Sequence, residues 1–286
     1  MVQVNNYKVE NFDPEVLREY DIRGVVGENI NENTAYTIGR TFGYTVKSKL
    51  PSDTIVTGYD GRLTSPTLHE ALCEGLKDAG ATVINIGMGP TPMTYFAHYH
   101  CDADAALMVT GSHNPSEYNG FKMVFNKHSF FAEDIQSLQN LIRDNKLKLL
   151  EGKIIHQDIT QDYITRNLLN ISLKRKLKIA WDPGNGAMGK VIREITEKLI
   201  NSDNIIINEL VDGNFPNHHP DPTVPKNMVQ LIQTVKENNC DIGLAFDGDG
   251  DRLGVIDNLG NIVWADQYML VLCSEIANLY SNPKLI

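Results

Sequence analysis

AALMVTGSHNPSEYNGFKMV, residues 105–124, opens on five apolar residues and then breaks into turn formers. A short apolar run bounded in this way reads as a buried strand over residues 105–109. Gly111 permits a sharp bend and a close approach of the backbone to another group. Pro115 stops a helix from running through the turn and biases Asn114 toward extended backbone. Ser112 is therefore expected on a fixed, bent loop at the carboxyl end of a strand, where open α/β sheets bind ligands. Serine is a weak nucleophile without a base or electrostatic help. His113, Asn114 and, further along, Lys122 return polar and titratable groups to the same neighbourhood. A Gly-Ser pair by itself reads as a polar turn between strands.

Outward from this stretch, strands alternate with helices. Toward the amino terminus lie a strand ending at Gly24, a helix over residues 31–49 with Ala35, Ile38, Phe42 and Val46 on one face, and a strand over 53–59. A helix near 65–78, a strand over 81–86, the turn at 87–90 and a short helix through 95–99 complete this part. That spacing implies βαβ units and a largely parallel sheet. A polar, lysine-bearing stretch at 143–152 marks a boundary. Beyond it come a helix near 157–170, a strand over 177–181, a helix ending at Ile200 and a strand over 205–210. A long Pro/His loop at 212–225, a helix near 226–237 and a strand over 242–246 follow. Residues 265–280 read as a helix with Met269, Leu272, Ile276 and Leu279 on one side. The expected class is α/β, with two tandem units over residues 1–150 and 151–262 and the start of a third over 263–286. No repeat is visible at the level of residue identity.

Length and composition set bounds. The chain has 286 residues, 42% of them apolar and 22% charged, as suits a globular protein of about two domains. No apolar run is long enough to cross a bilayer, and the amino terminus lacks the basic start and apolar core of a signal peptide. Cys73, Cys101, Cys240 and Cys273 are scattered without zinc or redox spacing, which suits reduced thiols in a cytoplasm. A net charge of −10 argues against a nucleic-acid surface, and the one basic cluster, Lys174-Arg175-Lys176, is too short to carry one. Small anions remain possible ligands, because local cations and backbone N–H groups decide their binding.

The acidic run Asp247-Gly248-Asp249-Gly250-Asp251-Arg252 follows the strand over 242–246. Carboxylates at alternate positions can converge on one hard cation, and all-oxygen donors favour Mg²⁺ or Ca²⁺ over zinc. Without a cation, such close carboxylates repel and at least one pKa rises. An EF-hand is excluded: its sixth position requires Gly and is Arg252, and its twelfth requires Glu and is Asn258. A solvated acidic turn is the plain alternative, weakened by the position at a strand's carboxyl end. An aspartyl-nucleophile phosphatase would need a lysine and an acidic pair further along, for which little chain remains, and it leaves the serine loop unexplained.

Taken in order, Glu19-Tyr20-Asp21-Ile22-Arg23-Gly24, Thr110-Gly111-Ser112-His113-Asn114-Pro115, Asn119-Gly120-Phe121-Lys122 and the acidic run resemble the first two domains of the α-D-phosphohexomutases. The turn Asp182-Pro183-Gly184-Asn185-Gly186-Ala187 and the loop His218-His219-Pro220-Asp221-Pro222-Thr223-Val224-Pro225 resemble the bacterial phosphomannomutase/phosphoglucomutase branch more than the phosphoglucosamine mutases. The resemblance covers essentially the whole chain. It implies two phosphohexomutase-type α/β domains with mixed, mostly parallel sheets, and the first helix of a truncated third. It implies an isomerase that interconverts hexose 6- and 1-phosphates of mannose or glucose through a hexose 1,6-bisphosphate.

By the same resemblance Ser112 would carry the phosphoryl group. Asp247, Asp249 and Asp251, with an oxygen on Ser112, would hold one Mg²⁺. Arg23 and Arg252 would approach the phosphoserine, and His113 and Asn114 would orient the loop. Tyr20, Arg23, Asn114 and Lys122 would touch substrate, and Lys122 would serve as general acid/base if neighbouring cations lower its pKa. Read alone, Arg23 and Arg252 could equally be structural ion pairs, Lys122 could face solvent, and His113 could be a loop residue. His218 and His219 point opposite ways in an extended segment and read as loop packing. Family members have four domains, so the resemblance also implies weak or absent turnover from this chain alone and, if catalysis survives, a separate chain carrying the others. A noncatalytic metal- and phosphate-binding module acting through a partner is the alternative, and an exposed apolar surface is expected near the last helix.

Overall fold

The computed structural model describes residues 7–284. The first six residues, part of the amino terminus read above as lacking a signal peptide, and the last two lie outside them.

After a 3₁₀ turn at Pro14–Val16 come β1 (Ile22–Val25), α1 (Glu32–Lys49), β2 (Thr54–Tyr59), α2 (Ser65–Asp78), β3 (Thr82–Met88) and α3 (Thr91–His100). Then follow β4 (Ala105–Val109), β5 (Tyr118–Phe125), β6 (His128–Ser129), α4 (Glu133–Arg143) and β7 (Lys153–His156). These strands form one sheet in the order β1-β5-β4-β2-β3-β7, with β6 beside β5. The second unit contains α5 (Thr160–Leu168), β8 (Leu177–Asp182), α6 (Met188–Lys198), β9 (Ser202–Ile206), α7 (Val229–Asn238), β10 (Ile242–Phe246), β11 (Leu253–Asp257), β12 (Ile262–Val263) and α8 (Ala265–Leu279). Its sheet runs β12-β11-β10-β8-β9.

The parallel pairing expected from alternation holds across β4-β2-β3-β7 and β10-β8-β9. Antiparallel strands extend each sheet on one side, β5 and β1 in the first and β11 and β12 in the second. Both sheets are thus mixed. β5 returns directly from the serine loop, so Lys122 sits opposite Met108 in register.

Three boundaries differ from the sequence expectation. The first sheet reaches past residue 150, because β7 pairs parallel with β3. The strand expected over 205–210 is β9, which ends at Ile206, since Asn208 turns into left-handed backbone at φ 50° and its amide donates to Asp182. The first strand, expected to end at Gly24, continues to Val25, which pairs with Tyr118.

α1 begins where its side chains can satisfy its first amides. Asn31 accepts from the N–H groups of Asn33 and Thr34, and the Thr34 hydroxyl accepts from Asn31 N–H. Asn31→Ala is expected to lower the unfolding free energy by about 1 kcal/mol, measured by urea titration. Ala35, Ile38, Phe42 and Val46 are buried against the sheet as their spacing predicts, and Phe42 meets Phe130 edge-on.

On the sheet's other face, Met93 and Ala97 of α3 share one cluster with Tyr163 and Ile164 of α5 and Met188 and Ile192 of α6. The two units therefore meet through apolar packing as well as through the loops described below. α8 leaves Leu270, Val271 and Leu279 exposed, and has no buried residue. Among the described residues no helix is long and apolar enough to cross a membrane.

His69 of α2 is buried beside Cys73, with Nε2 3.5 Å from its sulfur. Burial, with the neighbouring His156 second, pushes its pKa down to about 3. A histidine whose folded pKa lies below its unfolded value contributes full stability above the unfolded pKa and loses it as pH falls. Between pH 6.5 and 5 the unfolding free energy should drop by about 2 kcal/mol from this group. Urea titrations of the wild type and His69→Gln at both pH values check this, since the variant should lose that part of the slope.

Candidate active site

β4 ends at Val109, and the chain is caught at once. Thr110 donates its hydroxyl to Asp60 Oδ2 at 2.8 Å, and accepts from the backbone N–H of Ser112 at 2.7 Å. Ser112 then takes left-handed backbone, φ 52°, a conformation that costs a non-glycine residue about 1 kcal/mol or more and gathers at functional sites. Its side chain is buried, with Oγ donating to Asp247 Oδ2 at 3.1 Å and lying 3.3 Å from His113 Nδ1. Ser112 and Asp247 come from different units, so the serine loop and the acidic loop face one another directly. Gly248 makes that approach possible: a Cβ there would lie 2.6 Å from the Ser112 carbonyl oxygen.

Asp247, Asp249 and Asp251 each offer a carboxylate oxygen, and these lie within 4.8 Å of one another. Asp247 Oδ1 accepts from the backbone N–H groups of Asp251 and Arg252, both at 3.0 Å. Burial first, then the Asp249 and Asp251 charges, push the Asp247 carboxyl up to about 8, the raised pKa expected of crowded carboxylates. Asp249 Oδ2 accepts from Thr91 Oγ1 and from Lys122 Nζ. Its other oxygen is buried and has no hydrogen-bond partner among the described residues. A buried carboxylate oxygen without a partner is costly, and three convergent oxygen donors suit a hard divalent cation. The residues present fit such an ion.

Lys122 Nζ lies 2.6 Å from both Asp249 Oδ2 and Asp251 Oδ2. Burial works against its charge, yet the two carboxylates outweigh burial and push its pKa above the ordinary lysine range. Acid/base work was expected to need neighbouring cations, and the groups within reach of its ammonium are these two carboxylates. With no cation on Asp249 and Asp251, their charges favour the ammonium form.

The other expected residues arrive with different degrees of engagement. Arg23 on β1 is buried and paired with Asp21, and its Nε has no hydrogen-bond partner among the described residues. Arg252 is exposed just beyond the acidic loop. His113 has its pKa lowered by burial and then by the Arg252 charge. Tyr20 is 75% exposed; with Tyr95, Tyr99, Lys122 and Asp251 it lines a cleft of about 400 Å³ beside the acidic loop. The Asn114 carbonyl oxygen is held by Arg62 at 2.7 Å. His218 Nε2 lies 2.9 Å from Asp182 Oδ2, the loop packing expected of it.

Asp60, Arg62, Thr91 and Phe215 were not expected at the site. Thr91 begins α3 and gives both its N–H and its hydroxyl to Asp249. Asp60 and Arg62 follow β2 directly, and that position at a strand's carboxyl end was the available signal. Phe215 carried none.

Comparison with known proteins follows the same division. A family model described as phosphoglucomutase/phosphomannomutase, alpha/beta/alpha domain I, matches residues 14–148, and the corresponding model for domain II matches residues 160–260. A phosphomannomutase/phosphoglucomutase of Pseudomonas putida is 43% identical over 272 residues, covering 95% of this chain and 58% of that protein. A phosphoglucomutase of Neisseria meningitidis serogroup A is 39% identical over 281 residues, covering 96% and 60%. The crystal structure of a phosphoglucomutase/phosphomannomutase family protein from Burkholderia thailandensis superposes with a TM-score of 0.88 at 37% identity, covering 94% of this chain and 60% of that one. The chain thus spans about three-fifths of the length of these relatives.

Proposed function

We propose, since the chain belongs to the phosphoglucomutase/phosphomannomutase family, that Ser112 carries a phosphoryl group and exchanges it with hexose phosphates. In the forward step a free hydroxyl of the hexose phosphate attacks the phosphorus on Ser112. The new O–P bond forms as the Oγ–P bond breaks, the hydroxyl proton leaves to a base, and the serine oxygen is reprotonated. The resulting hexose 1,6-bisphosphate returns its other phosphoryl group to Ser112, which converts a 6-phosphate into a 1-phosphate or the reverse. Mannose and glucose phosphates are both substrates in this reading, because relatives at similar identity carry both names. It favours them over glucosamine phosphates on the same ground.

The observation that carries the proposal is the 3.1 Å contact between Ser112 Oγ and Asp247 Oδ2 across the two units. Asp247, Asp249 and Asp251, with an oxygen on Ser112, would hold one Mg²⁺, which supplies positive charge where the transferring phosphoryl accumulates negative charge. The Lys122 side chain would add charge on the same side, and Arg23, whose buried Nε has no partner among the described residues, would donate to a phosphoryl oxygen. Tyr20 and Asn114 would contact the sugar phosphate, His113 would steady the serine, and Arg252 would meet the reacting end from the exposed rim.

The test is uptake of label from ³²P-glucose 1,6-bisphosphate with Mg²⁺, followed by peptide mapping. Label on the Ser112 peptide supports transfer. Mn²⁺ and phosphate binding without any label would leave a noncatalytic binding module.

A further inference from the structure

We propose that Arg62 is the positioning residue of the serine loop, fixing Ser112 for transfer, and that Phe215 of the second unit seats it there. This rests on the reading of Ser112 as the phosphoryl carrier.

A guanidinium has five N–H donors in a rigid plane. In Arg62 all five are used. Nε donates to Asp60 Oδ2 at 3.2 Å. Nη1 donates to the carbonyl oxygens of Pro115 at 2.6 Å and Tyr118 at 3.0 Å. Nη2 donates to those of Ser112 at 2.8 Å and Asn114 at 2.7 Å. Four carbonyls of one loop therefore converge on a single planar group, with the left-handed Ser112 at one end. None of the five donors is free for substrate, so Arg62 acts on the chemistry only through the loop.

The fit leaves no slack. A Cβ at Gly111 would lie 2.4 Å from Arg62 Cζ, so the loop closes on the guanidinium only with glycine there. Asp60, which anchors Arg62, also accepts from Thr110 Oγ1 and from the backbone N–H of Gly111. From the second unit, the Phe215 ring centre lies 5.3 Å from Arg62 Cζ. The same ring stands 3.7 Å from where a Cβ on Gly248 would be. Phe215 takes φ 50°, a strained backbone for a bulky residue, and such strain persists only where the surroundings hold it. One ring thus rests on the guanidinium that shapes the serine loop and on the glycine of the acidic loop. It sets the spacing of the two loops without entering either set of reacting groups.

The test uses the full chain with Arg62→Lys, Arg62→Met and Phe215→Asn. Asparagine tolerates left-handed backbone, so the last variant removes the ring without adding strain. Three readouts are taken: the rate and half-saturation of labelling by glucose 1,6-bisphosphate, Mn²⁺ affinity, and amide exchange over residues 111–118. Lysine offers three donors from one point, so Arg62→Lys should label about 100-fold more slowly, with half-saturation and Mn²⁺ affinity nearly unchanged. Phe215→Asn should slow labelling about 10-fold. Exchange over 111–118 should speed about 10-fold in both, while residues 247–252 keep their protection in Arg62→Lys. Arg62→Met, with no donor, should do more of the same wherever it folds, and Arg62→Lys decides if it does not. A folded Arg62→Lys with the wild-type labelling rate or unchanged loop exchange overturns the proposal. So does a loss that appears as weaker half-saturation, the mark of direct substrate contact. If the wild type itself takes no label, the transfer reading fails, and loop exchange in Arg62→Lys then decides whether Arg62 holds the loop.

Discussion

A chain carrying Ser112→Ala should fold, bind Mn²⁺ and take no label from glucose 1,6-bisphosphate. The expected loss is complete, because the substitution removes the atom to which phosphorus would bond. Its cost to the fold is small by comparison. Alanine keeps the Cβ and meets the same left-handed backbone at φ 52°, and the Arg62 bond to the residue 112 carbonyl does not depend on the side chain. What is lost is the hydrogen bond from Oγ to Asp247 Oδ2, worth about 1 kcal/mol. A urea midpoint close to that of the wild type, with no label on any peptide, is the expected pair of results. Label persisting in the variant would place the acceptor elsewhere and remove the role given to this loop.

Asp249→Asn should weaken Mn²⁺ or Mg²⁺ binding about 100-fold or more, since changes even one shell further out cost about 10- to 100-fold. Asp249 is the acidic-loop residue most enclosed by other elements, holding Thr91 and Lys122 with one oxygen while the other has no partner. The same variant should lose about 3 kcal/mol of stability without metal, at the low end for a broken buried pair because Lys122 keeps Asp251. Asp251→Asn, at the exposed end of the run, should cost the metal-free fold less than about 1 kcal/mol. Calorimetric titration with Mn²⁺ and urea unfolding separate the two effects. Equal metal affinity in Asp249→Asn and the wild type would show that the three carboxylates do not act as one ligand set.

Much of this site was legible from local sequence because local rules build it. The apolar run ending in Thr110-Gly111-Ser112 had to stop and bend, and the run at Ile242–Phe246 had to deliver Asp247 at a strand end. The spacing of Ala35, Ile38, Phe42 and Val46 named the buried face of α1 for the same reason. The surroundings of Lys122 were not legible. Its partners are Asp249 and Asp251, more than a hundred residues away in the chain, and alternation along β5 says nothing about which carboxylates will face it.

The sequence by itself determined that there would be two α/β units, a serine on a bent loop after one strand and three carboxylates after another. These are consequences of apolar periodicity and of where glycine and proline allow the chain to turn. Only the tertiary structure decided that Ser112 meets Asp247, that Arg62 gathers four carbonyls of one loop, that β7 belongs to the first sheet, and that Lys122 pairs with Asp249 and Asp251. Backbone preference acts between neighbours in the chain, whereas hydrogen bonds and charge pairing act between neighbours in space, and burial makes the second kind strong enough to set the chemistry.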